Sequence, residues 1–162
     1  MTNGSGSLRP GVDGYVGVRQ RIEGTIPALR VTDEAAEILG REAAIGTAVQ
    51  AGRPRAAQGE VFTAAVADNV RAIVAADMGR RSMADRASIM ADVPAMPPPV
   101  NDPYPESAAL ATFPPLLLQA LPRLPDDFEY RFMGRHLIIR DGRTNLIVDY
   151  LSDVAPAAGV TP

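Results

Sequence analysis

The most regular hydrophobic pattern of the chain lies between Val61 and Met78. Apolar side chains recur there at three- and four-residue steps, which places them on one face of a helix. They are Val61, Phe62, Ala65, Val66, Val70, Ile73, Val74 and Met78. Gly79 fits the C-terminal cap, and Arg80 and Arg81 complement the negative end of the helix dipole. The pattern predicts an amphipathic helix that forms one wall of the core.

Three weaker patterns predict further helices on either side of this one. The first has apolar residues at helical spacing but is limited by Gly24 and Pro27; they are Val18, Ile22, Ile26 and Leu29. The second is an apolar stripe that Thr32 is suited to cap; it consists of Ala35, Ile38, Leu39, Ile45 and Val49. The third is a shorter helix, Ser82–Met90, with Met83, Ala87 and Met90 facing inward. We therefore expect three or four N-terminal helices.

The segment 93–125 is rich in proline and holds ten of the fifteen prolines of the chain. Pro97-Pro98-Pro99 favours an extended polyproline conformation over helix interior. Thr112–Leu121 predicts a short helix, because prolines are tolerated in its first turn and Pro122 ends it. We expect the rest of this segment to wrap over other elements.

The C-terminal pattern predicts a β-hairpin. Phe128–Arg140 and Asn145–Leu151 are rich in β-branched and aromatic residues and flank Asp141-Gly142, a strong turn signal. A loop of two or of three residues fits equally well, so the register stays open. A lone hairpin is marginal in water, and this one is expected to pack against the helices. The predicted fold class is therefore α+β.

These elements predict a single small domain with a loose segment at each end. The length suits one domain with a real core, which the few large side chains must largely fill. The divisions are a flexible segment at 1–14, the domain at 15–154 (helical 15–92, Pro-rich 93–125, hairpin 126–154) and a frayed tail at 155–162.

The composition excludes several chemistries. All 16 basic residues are Arg, so a Schiff-base or Walker lysine is excluded. Cys is absent, which excludes thiolate nucleophiles, disulfides and thiolate metal sites. His136 is the one histidine, so one chain cannot supply a two-histidine metal site. We therefore expect no metal and no cofactor.

The charge and hydropathy patterns bear on partners and location. The net charge of −3 disfavours nucleic-acid binding. No apolar run approaches the roughly 20 residues of a membrane helix, so we expect no transmembrane segment. No secretory signal pattern is present at the N-terminus, and a cytoplasmic location is one expectation. Two kinds of partner remain: another protein, or a second copy of the same chain in a homo-oligomer.

A resemblance covers the chain from about Val100 to Leu151. Its most specific stretch reads Glu129-Tyr130-Arg131-Phe132, Gly134-Arg135, Leu137-Ile138, Asp141 and Asn145-Leu146-Ile147-Val148-Asp149. Further residues are Val100-Asn101, Tyr104-Pro105, Pro114-Pro115, Leu121-Pro122 and Leu124-Pro125. In these residues the chain resembles a group of uncharacterised, often exported bacterial proteins. The resemblance implies a periplasmic or secreted location, and it implies no activity or catalytic residue.

Four residues are the candidates for ligand binding. Arg131 and Arg135 are expected to project from one strand face, and Arg140 flanks the turn together with Arg143. Guanidinium groups in such an array bind carboxylates or phosphates bidentately, or else form salt bridges within the chain. Tyr104 lies between two prolines. It either belongs to a recognition loop or anchors the loop by burying its own ring.

Catalysis has weaker candidates. The unique His136 is expected to share a strand face with Tyr130 and Phe132, where Asp149 or Asp141 could orient it as a general base. A histidine at such a position is more often packed or hydrogen-bonded than catalytic, and no nucleophile motif accompanies His136.

The sequence favours a non-enzymatic binding or assembly module of the bacterial envelope. The arginine-bearing hairpin and the Pro-rich loop would form its recognition surface. An exposed hairpin edge offers a further route, since it can pair with another strand and cause self-association. Two alternatives stay open: a small hydrolase using His136 with the hairpin carboxylates, and a structural subunit whose core a partner completes.

Overall fold

A computed structural model of the chain describes residues 7–28, 33–90, 97–106 and 112–154. In these residues, helices precede a three-stranded antiparallel sheet of order β1-β2-β3. The elements are α1 (Arg9–Glu23), α2 (Ala35–Gly52), α3 (Ala64–Gly79), α4 (Met83–Met90), α5 (Pro115–Ala120), β1 (Phe128–Met133), β2 (His136–Asp141) and β3 (Leu146–Leu151). The predicted α+β class is confirmed.

The helix predicted most clearly is α3. Four of its buried apolar residues follow the predicted four-residue steps; they are Val66, Val70, Val74 and Met78. Ala67 is also buried, whereas Ala65, predicted on the buried face, is exposed. Val61 and Phe62 are buried as predicted, but they precede the helix, whose N-cap is Thr63. The short helix α5 also forms, with Pro115 in its first turn.

The boundary expected at Gly14 is wrong, because α1 is already helical from Arg9. Pro10 is tolerated in the first helical turn. Gly11 is required by packing, since a Cβ there would lie 2.5 Å from the carbonyl oxygen of Glu60. Burial of Val12 on the same turn offsets the poor helix propensity of the glycines.

Two other expectations about the helices are wrong. Ile38 and Leu39 on α2 are 41% and 64% exposed, because α2 reaches the core through Ile45 and Val49 in its C-terminal half. Met83 on α4 is 74% exposed instead of facing inward. The expected cap at Thr32 lies outside the described residues, as do Leu29, the side chain of Met90, residues 1–6 and the tail 155–162.

The first predicted strand is two strands joined by a tight turn. Met133 pairs with His136 across Gly134-Arg135, and Gly134 adopts a left-handed φ of 54°. Glycine at the first central position suits a two-residue hairpin turn. The sequence did not predict this turn because β-forming residues continue on both sides of it. Asp141-Gly142 begins the second turn, before β3. The predicted hairpin is therefore part of a three-stranded meander.

The two faces of the sheet have different covers. The inner face packs against α1, α2, α3 and α5, as predicted, and forms the main core. A smaller cluster lies on the outer face; it consists of Tyr104, Met133, Ile138 and Ile147. Tyr104 reaches it from the Pro-rich segment 97–106, which therefore covers part of the outer face.

The Pro-rich segment 97–106 is held along the outer edge of β3 by backbone hydrogen bonds. The Asn101 N–H donates to the Ile147 carbonyl at 2.8 Å, and the Ile147 N–H donates to the Asp102 carbonyl at 2.9 Å. The Tyr104 N–H donates to the Asn145 carbonyl at 2.7 Å. The predicted wrap is thus a partial extra strand, which fixes Tyr104 beside β2 and β3.

A buried carboxylate, Asp141, joins α1 to the turn after β2. It accepts hydrogen bonds from the Tyr15 hydroxyl and the Arg19 guanidinium, both at 2.8 Å, and from the Thr144 hydroxyl at 2.9 Å. Burial and the charge of Asp141 raise the pKa of Tyr15, so its phenol stays a proton donor. The Arg143 N–H also donates to Asp141, at 2.9 Å, which confirms the expected turn role of this residue.

A second buried carboxylate, Asp149, joins β3 to the loop before α3. Ile139 pairs with Asp149 while Arg140 pairs with Ile147, so a β-bulge lies at Val148. The bulge directs Asp149 toward the helices. Backbone N–H groups of three loop residues then donate to its carboxylate at 2.8 to 3.2 Å; they are Gly59, Val61 and Phe62.

We predict that Asp149→Asn lowers the free energy of unfolding by about 3 kcal/mol, because an amide presents N–H groups to backbone donors inside the core. Urea unfolding monitored by circular dichroism measures this loss. Asp68→Asn on the exposed face of α3 is the matched control, with an expected change within about 0.5 kcal/mol. Equal effects of the two substitutions would contradict the assigned role.

Candidate functional site

Three of the four predicted ligand-binding residues meet on the outer face of the sheet. Arg131 on β1 and Arg140 on β2 flank Glu129, and the Arg140 guanidinium lies over the Tyr104 ring at 5.6 Å from its centroid. Strand pairing explains the meeting, because Glu129 pairs with Arg140 and the side chains of Glu129 and Arg131 share one face. We call these four residues, Tyr104, Glu129, Arg131 and Arg140, the arginine–tyrosine surface.

Within this surface, two cations converge on one carboxylate oxygen. Arg131 donates to Glu129 Oε2 from Nη2 at 2.6 Å and from Nε at 2.9 Å. Arg140 donates to the same oxygen from Nη1 at 3.2 Å, and its Nε donates to the Asn145 side-chain oxygen at 2.9 Å. The three charged side chains carry a net charge of one positive unit.

The ionisation of Glu129 follows from this geometry. Burial alone would raise the pKa of its carboxyl group, but the hydrogen bonds and charges of Arg131 and Arg140 outweigh burial and lower it. Glu129 is therefore negatively charged at neutral pH. An incoming acidic group must compete with this resident carboxylate for the two guanidinium groups.

A cleft of about 660 Å³ adjoins the arginine–tyrosine surface. It lies between α2 and the turn that joins β2 to β3, and Tyr104 and Arg140 line it together with Leu39 and Glu42. The exposed Leu39 provides an apolar patch at this cleft. Charged, aromatic and apolar groups are thus present in one concave region, the combination typical of a binding site.

Arg135 does not belong to this group. The expectation that it shares a strand face with Arg131 is wrong, because Arg135 lies in the turn between β1 and β2. Its guanidinium pairs with Asp153 at 2.9 Å. Arg143 is also apart from Glu129, and its guanidinium lies 3.1 Å from Glu23.

The catalytic candidates are not brought together. The turn at Gly134 places His136 opposite Met133, so the expected face shared with Tyr130 and Phe132 is wrong. The buried imidazole accepts a hydrogen bond from the Asp153 N–H through Nδ1 at 3.4 Å and meets the Tyr150 ring edge-on. Asp141 lies five residues further along β2, a separation of about 16 Å at the usual strand rise.

The two aspartates predicted as possible partners of His136 have other positions. Asp141 and Asp149 are fully buried on the inner face, where they accept the hydrogen bonds described above. The residues that complete these two sites were not linked to them from the sequence; they are Tyr15, Arg19 and the loop Gly59–Phe62. No local pattern signals these contacts, because they join residues about 90 or more positions apart.

Comparisons with protein-family models, with curated proteins and with solved structures gave no match. Within the described part of the chain, no helix combines the length and apolar character needed to cross a membrane. Function must therefore be argued from the geometry of this chain.

We predict that the contribution of Glu129 to stability depends on pH. Its lowered pKa means that the stabilisation is present above the ordinary value of 4.5 and is lost as the pH falls through the folded-state value. Because Glu129 is partly exposed, Glu129→Gln should cost only about 0.5 kcal/mol at pH 7 and less at pH 3. Urea unfolding at both pH values tests this, and an equal cost at both would contradict it.

Proposed function

We propose that the protein is a non-enzymatic binding module that recognises an acidic segment of a partner protein. The observation that carries the proposal is the convergence of Arg131 and Arg140 on Glu129 beside the Tyr104 ring. Guanidinium groups favour planar carboxylates, and the buried ring of Tyr104 holds the Arg140 guanidinium in place. The proposed location in the bacterial envelope rests on the resemblance of residues 100–151.

The preorganisation of the arginine–tyrosine surface supports the proposal. Arg140 is held by Asn145 and by the ring of Tyr104, and Tyr104 is fixed by its backbone bond to Asn145. Side chains that are already ordered lose little entropy when a ligand binds. The adjoining cleft offers room for the neighbouring residues of a bound segment.

The hydrolase alternative lacks a comparable arrangement. Among the described residues, the imidazole of His136 is hydrogen-bonded to the Asp153 N–H, and the carboxylates of Asp141 and Asp149 are occupied elsewhere. The remaining alternative, a subunit completed by a partner, is addressed by the oligomeric state.

We predict that Arg140→Ala weakens binding of a fluorescein-labelled, glutamate-rich peptide by about tenfold, since it removes one of two cations from the site. Fluorescence anisotropy with the full chain measures the affinity, and a glutamine-rich peptide controls for charge. Arg135→Ala is the matched control, because it removes a paired arginine outside the arginine–tyrosine surface. Equal weakening by both substitutions would count against the proposal, as would equal binding of the two peptides.

We further predict that Glu129→Gln tightens binding of the same acidic peptide several-fold, because it removes the carboxylate that competes for Arg131 and Arg140. Raising the salt concentration should weaken binding by both proteins. A weaker affinity of the Glu129→Gln variant, with its native circular dichroism spectrum retained, would show that Glu129 contacts the ligand favourably and would refute the competition.

A further inference from the structure

A second group of arginines lines a pocket away from the arginine–tyrosine surface. Arg71 on α3, Arg86 on α4 and Arg135 in the turn between β1 and β2 border a pocket of about 420 Å³. None of the residues that line this pocket also lines the cleft beside Tyr104 and Arg140. We call it the three-arginine pocket.

The residues that follow β3 build one wall of this pocket. The Val154 N–H donates to the Arg135 carbonyl at 2.9 Å, and the Asp153 N–H donates to the ring of His136. Asp153 adopts a left-handed φ of 53°, so the chain turns sharply at this residue. The wall is therefore fixed against the turn between β1 and β2 by hydrogen bonds of its backbone.

Two of the three arginines are anchored to the chain and still keep donors for a ligand. Arg71 donates from Nη2 to the Ser152 carbonyl at 3.1 Å. Arg86 donates from Nε and Nη2 to the Arg81 carbonyl at 3.1 and 3.0 Å. Within the described part of the chain, the Nη1 groups of Arg71 and Arg86 have no hydrogen-bond partner. Both guanidinium groups are thus oriented in advance, with N–H groups left over.

The charge of the pocket favours a dianion. The described residues that line it include three arginines and one acidic residue, Asp153, so together they carry a net charge of two positive units. The carboxylate of Asp77 on α3 is buried and already bonded to Arg81 at 2.6 Å. A phosphate group carries about two negative charges at neutral pH, and its oxygens can accept hydrogen bonds from several guanidinium groups. A single carboxylate would balance only half of the charge.

Apolar side chains line another part of the pocket. They belong to Ala75, Met78 and Val154, of which the last two are buried. Pockets of about 300 Å³ or more accommodate small molecules, so this one has room for a group larger than phosphate alone. The apolar lining suits the organic part of a phosphate ester.

We propose that the three-arginine pocket binds a phosphate group carried by a small phosphate monoester. Arg71, Arg86 and Arg135 donate to the phosphate oxygens, and the apolar lining contacts the organic part. The ligand replaces Asp153 as a partner of Arg135; both side chains are largely exposed, at 45% and 63%, so this exchange costs little. The pocket does not depend on the proposed binding of acidic segments, because it shares no lining residue with that cleft.

Isothermal titration calorimetry of the full chain tests the charge requirement without any variant. Phenyl phosphate should bind about tenfold more tightly than benzenesulfonate, a monoanion of similar shape. A several-fold weaker affinity for inorganic phosphate supports an ester as the ligand, whereas an equal affinity overturns the ester and assigns the pocket to free phosphate. Benzenesulfonate binding as tightly as phenyl phosphate would overturn the proposal, as would no saturable binding of phenyl phosphate at millimolar concentration.

A pair of variants places the binding in this pocket. Arg71→Gln should weaken phenyl phosphate binding about tenfold, because it removes one of three cations, and should leave binding of the acidic peptide unchanged. Arg140→Ala is the matched control, with an unchanged affinity for phenyl phosphate. Equal effects of the two variants on phenyl phosphate would contradict the assignment. A native circular dichroism spectrum of each variant shows that the fold is kept, and the two ligands together distinguish a failure of this proposal from a failure of the acidic-segment proposal.

Discussion

The buried carboxylate of Asp141 is the interaction on which the arrangement of this protein depends. It is fully buried, and its charge is balanced by Arg19, whose guanidinium donates to it at 2.8 Å. Burial alone would lower the pKa of Arg19, but the charge and hydrogen bond of Asp141 outweigh this and raise it. Removal of Arg19 would leave the buried charge of Asp141 without its cation, at a cost of about 3–5 kcal/mol. This pair therefore holds the N-terminal helix and the last turn of the sheet in one geometry.

Asp149 performs a similar task with backbone donors in place of an arginine. Together, Asp141 and Asp149 join the inner face of the sheet to α1 and to the loop before α3. The inner face packs against the helices, and the candidate binding residues lie on the outer face. The Pro-rich segment 97–106 completes the outer face by placing Tyr104 beside Arg140. The arginine–tyrosine surface is therefore held both by the strands and by this segment.

Carboxylates of two kinds thus occur in the same small sheet. Those of the inner face are buried and fully bonded, which suits them to hold the fold. Glu129 on the outer face is partly exposed and is shared between two arginines. This difference in burial, more than the type of residue, separates structural acids from the candidate binding site.

Local patterns were sufficient to predict the α+β class, the helix α3, the short helix α5 and the turn at Asp141-Gly142. Each of these depends on residues close in sequence, where periodicity and turn preference act directly. Tyr104, Arg131 and Arg140 were also singled out by residue type.

The turn at Gly134, the bulge at Val148 and the early start of α1 were decided by tertiary packing. Strand propensity continues through Gly134, and the glycines of α1 disfavour a helix until Val12 and Tyr15 are buried. The convergence of both arginines on Glu129 likewise required the strand register, which contacts between distant residues determine and local sequence does not.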